Sequence, residues 1–528
     1  MAQNGTATTS EGVNIPEKYI AIGIDFGTTY SGVSWASSEA WTNSGENIVH
    51  VHDVLNWPQE GGQQQDELQV PTLIDPETGK WGMFCHSTET NPVRWIKLLL
   101  LEEIDLIEDL RKSKTFDYSR KRLIEAKQWG ISGIVGLVAR FLEEVWKHTL
   151  QEIKHEHGDL NMPLKVAIGV PAMWKPYVRE RIKRAVLLAG ILDTRYDSEG
   201  NGYTTTMTFV EEPQAAAIWT LREHNDQVTI EVGDTFVVCD GGGGTVDAIT
   251  YMVTSQKPFR AQPVVQGKAS LRGGFLIDQA FENYLYGPAV KFKFSKCSSQ
   301  ELRGFFNKEW EWTLKRRFDN AGNAFALTPP FAAVPARRWR TGPVETPQLH
   351  LGNGVVEGFF ADTLTGIRIQ IQDQLNAVKG AGRTKPKKIF FVGGLGGSTY
   401  LLSKVEQQYQ KDHTVVLRPR RTWSAVARGA VITALERGNN YVIDPKLDRD
   451  PLDSEGLKLT LQMTWHVKKG AGETGDYTPE SHEFHLAFGN KGGTGVNLPV
   501  TMHMNVAYGA NKGWESAITS HELAGNRI

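Results

Sequence analysis

Three short stretches of the chain combine glycine, hydroxyl and acidic residues in a way that suits a bound polyanion. They run from Asp25 to Thr29 (DFGTT), from Asp240 to Asp247 (DGGGGTVD) and from Gly393 to Ser398 (GGLGGS). A strand that empties into Gly and Thr directs backbone N–H groups and hydroxyls at one point, with no side chain in the way of a phosphate. The carboxylates of Asp25 and Asp240 would repel a phosphate directly; they suit hydrated Mg2+, which neutralises phosphate charge, and Asp247 adds another at the end of the second turn. One Gly-rich turn is ordinary punctuation. Three of them, two headed by Asp, argue for a ligand. The pattern GxxxxGK[ST] does not occur in the sequence, and GxGxxG spacing fits Gly241 to Gly244 only if the following Thr and Asp are ignored.

These turns need strands to aim them, and the sequence provides the strands. YIAIGID leads to Asp25, DTFVVCD leads to Asp240 and KIFFV leads to Gly393, each a short apolar run of buried-strand type. Between them, Ile134, Val138, Phe141, Leu142, Val145 and Trp146 form a helical stripe, and KVAIGV is a strand ending at Pro171. A basic helix follows from Arg179 to Leu188, with Gly190 as its stop. Pro213 suits the first turn of another helix, where Ala215, Ala216 and Ala217 permit close packing. A helix from Leu401, a short strand at Val415 to Leu417 and an Ala-rich helix from Ser424 to Leu435 complete an alternating α/β pattern. Residues 43–69, rich in Gln, Glu and Gly, read as a long surface loop or a distorted hairpin. Beyond 440 the texture changes to period-two alternation (LKLTLQMTWHV, VNLPVTMHMNVAY), the pattern of a small β-rich region at 441–528.

The 528 residues carry 58 Lys+Arg against 60 Asp+Glu, a formal net charge of −2. That balance offers no positive field for nucleic acid or an anionic membrane. The hydrophobic content of 40% supports packed cores, residues 1–17 read as a loose tail, and no apolar run approaches the ~20 residues that span a bilayer. Cys85, Cys239 and Cys297 are too few and scattered for a disulfide framework, so a reducing, cytoplasmic setting is expected.

Five motifs together resemble the nucleotide-binding domain of the seventy-kilodalton heat-shock chaperones, a branch of the actin-like ATPase superfamily. They are IDFGTTYSG at 24–32, FVEEPQAAAI at 209–218, VVCDGGGGTVDAI at 237–249, FVGGLGGSTYL at 391–401 and AVARGAV at 425–431. The resemblance covers about residues 18 to 437 and looks like the divergent branch without the usual peptide-binding domain. It implies two lobes of duplicated βαβ topology, 18–208 and 209–440, closing on ATP or ADP with Mg2+. Carried over by motif, Gly27, Thr28 and Thr29 look like the first phosphate loop, and Gly242, Gly243, Gly244 and Thr245 the second. Asp25, Asp240 and Asp247 would hold Mg2+ through water, and Glu212 would position the attacking water. Lys315 and Arg316, with Gly393, Gly394 and Ser398, would flank adenosine. Pro171 and Arg179 match the residues that relay nucleotide state to the peptide-binding domain.

The chain departs from that pattern in places. His86 falls near the position of the family's phosphate-contacting lysine, with Lys97 the nearest lysine downstream, so slow hydrolysis is expected. Gly241 replaces a bulky residue and would loosen the second loop. Trp423 stands where an acidic residue precedes the last helix; it packs either on the nucleotide or on the core, with core packing the expectation. Residues 441–528 are too few for a peptide-binding sandwich and lid. Three readings stay open: a slow Mg2+-dependent ATPase acting as a chaperone-like switch on protein clients, a nucleotide-binding scaffold with negligible turnover, and a sugar or metabolite kinase of the same superfamily.

Overall fold

The computed structural model describes residues 18–39, 50–59, 68–86, 90–224, 230–256, 259–322, 324–335, 347–410 and 414–436, and short strands at 441–443, 482–488, 496–502, 505–508 and 514–517. The tail expected at 1–17 and the strand expected at 457–467 lie outside the described residues. One compact unit reaches Leu452, and residues 453–528 form another.

The larger unit holds two mixed sheets. The first contains β1 (Ile20–Asp25), β2 (Tyr30–Ser37), β3 (His52–Asp53), β4 (Val70–Pro71), β5 (Leu164–Val170) and β6 (Thr205–Glu211), in the order β3-β2-β1-β5-β6 with β4 beside β2. The second contains β7 (Thr235–Gly241), β8 (Val246–Gln256), β9 (Phe259–Pro263), β10 (Lys268–Ser270), β11 (Lys388–Val392), β12 (Val415–Leu417) and β13 (Tyr441–Ile443), in the order β12-β11-β7-β8-β9-β13 with β10 beside β8. The same plan occurs twice. In each sheet an antiparallel hairpin (β1/β2, β7/β8) is extended on its first strand by two parallel strands (β5 and β6, β11 and β12). The turn of each hairpin is an Asp-headed, Gly/Thr-rich stretch.

The helices that matter here are α1 (Ile131–His157), α2 (Pro176–Leu188), α3 (Glu212–Glu223), α4 (Phe275–Leu285), α5 (Asn353–Gly380), α6 (Thr399–Tyr409) and α7 (Ala425–Leu435). Strand β1 shows why the layers stack as they do. Ile20, Ile22 and Ile24 join α1 in one apolar core, while Ala21 and Gly23 face the other side, where α7 lies close. A Cβ at Gly23 would come within 2.0 Å of the Ala427 carbonyl oxygen. The second sheet alternates likewise: Val237, Cys239, Ile389 and Phe391 fill a core with α4 and α5, and Phe236, Val238, Phe390 and Val392 face the opposite way. The small-residue face of the first sheet and that face of the second share a third core, filled by α3 and α7.

Several boundaries differ from the sequence reading. Residue 209, where a division between lobes was expected, falls inside β6, which pairs with β5 through Glu211. Tyr441–Ile443 pairs with β9 in the second sheet, past the boundary expected at 440. Within 43–69 the described part includes β3, paired to β2. Gly393–Gly396 is a helical turn instead of a loop. Between the second turn and KIFFV the sequence offers a basic helix at Lys315 and Arg316, where the structure has a π-helix over Phe306–Lys315, and it does not announce α4 or α5. Beyond residue 453, His482–Phe488 pairs with Val496–Met502 and Asn505–Tyr508 with Trp514–Ala517.

Candidate functional site

The turns after β1, β7 and β11 line a single cavity of about 280 Å3. Asp25, Gly27, Thr28, Thr29, Asp240, Gly242, Gly243, Gly244, Thr245 and Asp247 all border it, as do Glu212, Lys315, Arg316, Gly393, Gly394 and Ser398. The two hairpin turns touch: a Cβ on Gly243 would lie 2.1 Å from Thr29 Oγ1, and one on Gly244 2.9 Å from Thr28 Cγ2. Only glycine allows that approach. The second turn is also tied from outside. The carbonyls of Gly242, Gly243 and Gly244 accept from the amides of Gly274, Phe275 and Gly273 at 3.1, 2.8 and 3.1 Å. That Gly273-Gly274 pair, at the start of α4, was not singled out in the sequence. Gly241 proves to be packed: it is buried in β7, and a Cβ there would meet Leu395 Cβ at 2.8 Å, so its role is fit against the third turn, not looseness.

Four carboxylates, those of Asp25, Glu212, Asp240 and Asp247, crowd the floor, with the Lys97 ammonium on Glu212. Burial, then the Glu212 charge, pushes Asp25 up to about 7, against the pull of Lys97. Burial pushes Asp247 up to about 6, against a 2.7 Å hydrogen bond from Thr245, and burial with Glu212, Asp247 and Asp25 drives Asp240 well above the usual carboxylate range. Such a cluster is short of positive charge. Among the described residues no three His, Cys, Asp or Glu side chains converge closely enough to ligate a metal directly. The all-oxygen donor set, its crowding and its spacing fit a hydrated ion held through water, which is how Mg2+ prefers to be held.

A pH effect follows. Folded pKa values raised from 3.8 to about 6 and 7 mean that the native chain holds protons the unfolded chain has already lost, so stability falls as pH climbs from about 4 to about 7. The chain without ligand is expected to melt at a lower temperature at pH 8 than at pH 5.5, with Asp25→Asn flattening the difference and Mg2+ offsetting it most at pH 8. Thermal unfolding measures this; equal or reversed melting in the parent would remove the crowded-carboxylate description.

Lys97 is the residue that the sequence reading undervalued. It is 2% exposed, and its ammonium lies 5.4 Å from the centre of the Trp174 ring. Trp95, two residues earlier, has φ of 55°, a conformation uncommon for a bulky residue, and packs edge-on against Phe275. The signal was present: a single charge inside the apolar run from Ile96 to Leu101 must have a partner if the run is buried. The backbone of His86 ends a 3-10 turn at Gly82–His86, and its side chain lies outside the described residues. Pro171 and Arg179 are not among the residues lining the cavity; each touches a residue that is in contact with, or adjacent in sequence to, one that does. The backbone N–H of Trp174, whose ring lies near Lys97, donates to the Pro171 carbonyl, and Arg179 Nη2 reaches Glu211, next to Glu212, at 3.4 Å.

At the other end, the π-helix places Glu311 beneath both basic residues. Lys315 Nζ reaches Glu311 and Asp278, each at 2.8 Å, and Arg316 Nε reaches Glu311 at 3.1 Å, five residues on. Burial works against the Lys315 charge, and the two carboxylates outweigh it, holding its pKa above the usual value. Trp423, expected in the core, lines the cavity beside Gly394 and Gly397.

No protein-family model matches the chain. The chain is similar to human heat shock 70 kDa protein 12B, with 21% identity over 491 residues that cover 78% of this chain and 68% of the human protein. The relationship is distant and Hsp70-like. The two mixed sheets are compatible with an actin-like ATPase fold. Among the described residues no helix is long and apolar enough to cross a membrane.

Proposed function

We propose that the cavity binds ATP with Mg2+ and hydrolyses it slowly to ADP and phosphate, and that the two sheets belong to two lobes whose closure couples nucleotide state to a chaperone-like switch. The observation that carries this reading is the meeting of two topologically equivalent Asp-Gly-Thr turns across one cavity, with Lys97 and Glu212 between them. The amides and hydroxyls of Thr28, Thr29, Gly243, Gly244 and Thr245 cradle the phosphates. Asp25, Asp240 and Asp247 hold the hydrated ion, which when bound neutralises charge on the phosphate oxygens. Glu212 orients the attacking water, and Lys97 supplies the positive charge that the transferred phosphate needs, in place of the role first considered for His86. Lys315, Arg316, Gly393, Gly394 and Ser398 form the nucleoside end.

The partners in this reading are the nucleotide and protein clients or regulators, in a reducing cytoplasm consistent with the unpaired Cys85, Cys239 and Cys297. The scaffold alternative has one observation in its favour: Glu212, the proposed water-positioning group, is already engaged by Lys97.

Asp25→Asn and Asp240→Asn should each lower single-turnover hydrolysis by at least tenfold while changing ATP affinity little. Calorimetric titration and quenched-flow product analysis measure the two quantities separately. Parent-like hydrolysis in both variants would discard the assignment, and ATP binding without any product in the parent would select the scaffold.

A further inference from the structure

The nucleoside end of the cavity contains an arrangement that works against simple base stacking. The Arg316 guanidinium carbon lies 3.6 Å from the centre of the Trp312 ring and 4.5 Å from that of Trp423. Trp423 is itself edge-on to Tyr30, with ring centres 6.1 Å apart, and its carbonyl accepts from Gln69 Nε2 at 2.8 Å. Two glycines make room for the indole: a Cβ on Gly394 would stand 3.3 Å from the ring, and one on Gly397 2.9 Å from its Nε1.

A planar base between the guanidinium and the indole would need about 3.5 Å on each side, roughly 7 Å in all. The observed 4.5 Å leaves no such slot. An arginine with indoles at these two distances already has the π-contacts that a nucleobase would offer it.

We propose that Trp423 is a built-in occupant of the base position, covering Arg316 until a nucleobase displaces it, so that this residue sets how much the nucleoside adds to the affinity of the phosphate chain. The proposal rests on the phosphate-site reading above. It makes the indole a specificity determinant: the triphosphate half is open to any polyphosphate, and the base half is entered only by a planar group that stacks on Arg316 better than indole does. Purines, with the larger face, are favoured over pyrimidines.

The test compares Mg2+-ATP, Mg2+-CTP and inorganic tripolyphosphate with Mg2+, by calorimetric titration of the full chain. Trp423→Ala is expected to bind ATP about tenfold more tightly, the scale of a desolvated cation–π contact, with tripolyphosphate unchanged. Trp423→Phe, which keeps a ring, stays near the parent, and Trp423→Ala gains at least as much for ATP as for CTP, because either base displaces the indole at the same cost. Weaker ATP binding with unchanged tripolyphosphate would make the indole a platform for the base and overturn the proposal. Unchanged ATP binding would make it a bystander and overturn it equally, and equal changes for ATP and tripolyphosphate would assign the effect to the phosphate half. A parent that binds ATP but not tripolyphosphate also overturns it, whereas a parent that binds neither removes the phosphate reading itself, a distinguishable failure.

Discussion

Lys97→Ala is expected to lower ATP turnover by roughly 10²–10³-fold, the usual loss when one preorganised charge or donor is removed from a reacting oxyanion. Lys97 is 2% exposed and pairs with Glu212 in the lining of the cavity, so its charge acts with little screening from water. Alanine also leaves Glu212 without its counter-charge among Asp25, Asp240 and Asp247, which should destabilise the ligand-free chain more at pH 8 than at pH 5.5. Single-turnover hydrolysis with ATP affinity measured alongside separates lost chemistry from lost binding. Lys97→Arg keeps the charge and should recover part of the rate. If His86→Ala lowers turnover more than Lys97→Ala does, the cation has been misassigned.

Gly429→Ala is expected to destabilise the chain by about 3 kcal/mol or more, at or above the upper end of the usual overpacking cost. Helix propensity alone predicts the opposite, since Ala in place of Gly within a helix gains about 1 kcal/mol. Packing decides the sign. Gly429 lies on α7 against α3, and a Cβ there would sit 1.8 Å from the Ala215 carbonyl oxygen and 2.8 Å from Ala215 Cα. Both partners are backbone atoms that no rotamer change can move aside. Gly358, inside α5 with nothing within 4 Å of its added Cβ, provides the comparison: Gly358→Ala should be neutral or slightly stabilising. Urea midpoints of the two variants measure the contrast, and a Gly429→Ala midpoint at or above the parent would contradict the close α3–α7 contact.

The Asp-headed turns that line the cavity were legible because their residues are contiguous in sequence. A strand, an Asp and a run of Gly and Thr are neighbours in the chain at both 25–29 and 240–247, and the structure keeps them so. The run Ala215-Ala216-Ala217 likewise announced a close contact, though not that Gly429 would supply its other half. What escaped attention depends on long-range placement. Lys97 reaches Glu212 across 115 residues, and nothing near either one names the other. Nothing beside Trp423 in the sequence chooses between core and cavity, because its surroundings include Gly394, Gly397 and Tyr30 from separate parts of the fold. Helix α5 is a different case. Val356, Phe359, Phe360, Leu364, Ile367 and Ile371 carry a helical stripe that is legible in the sequence by its spacing alone.

The position of α7 bears on how this chain is made. The small-residue face of β1, near the amino-terminal end, is covered by a helix from residues 425–435, and Asp53 on β3 is gripped by Arg428 through two hydrogen bonds of 2.8 and 2.6 Å. A chain emerging from the ribosome would complete β1, β2 and β5 long before the helix that shields them exists. Through most of its synthesis the first sheet would expose an apolar face rich in alanine and glycine, open to wrong strand partners and to holding factors that bind nascent chains. In that respect a protein with heat-shock-like motifs would itself be among the chains that need shelter while they are being made.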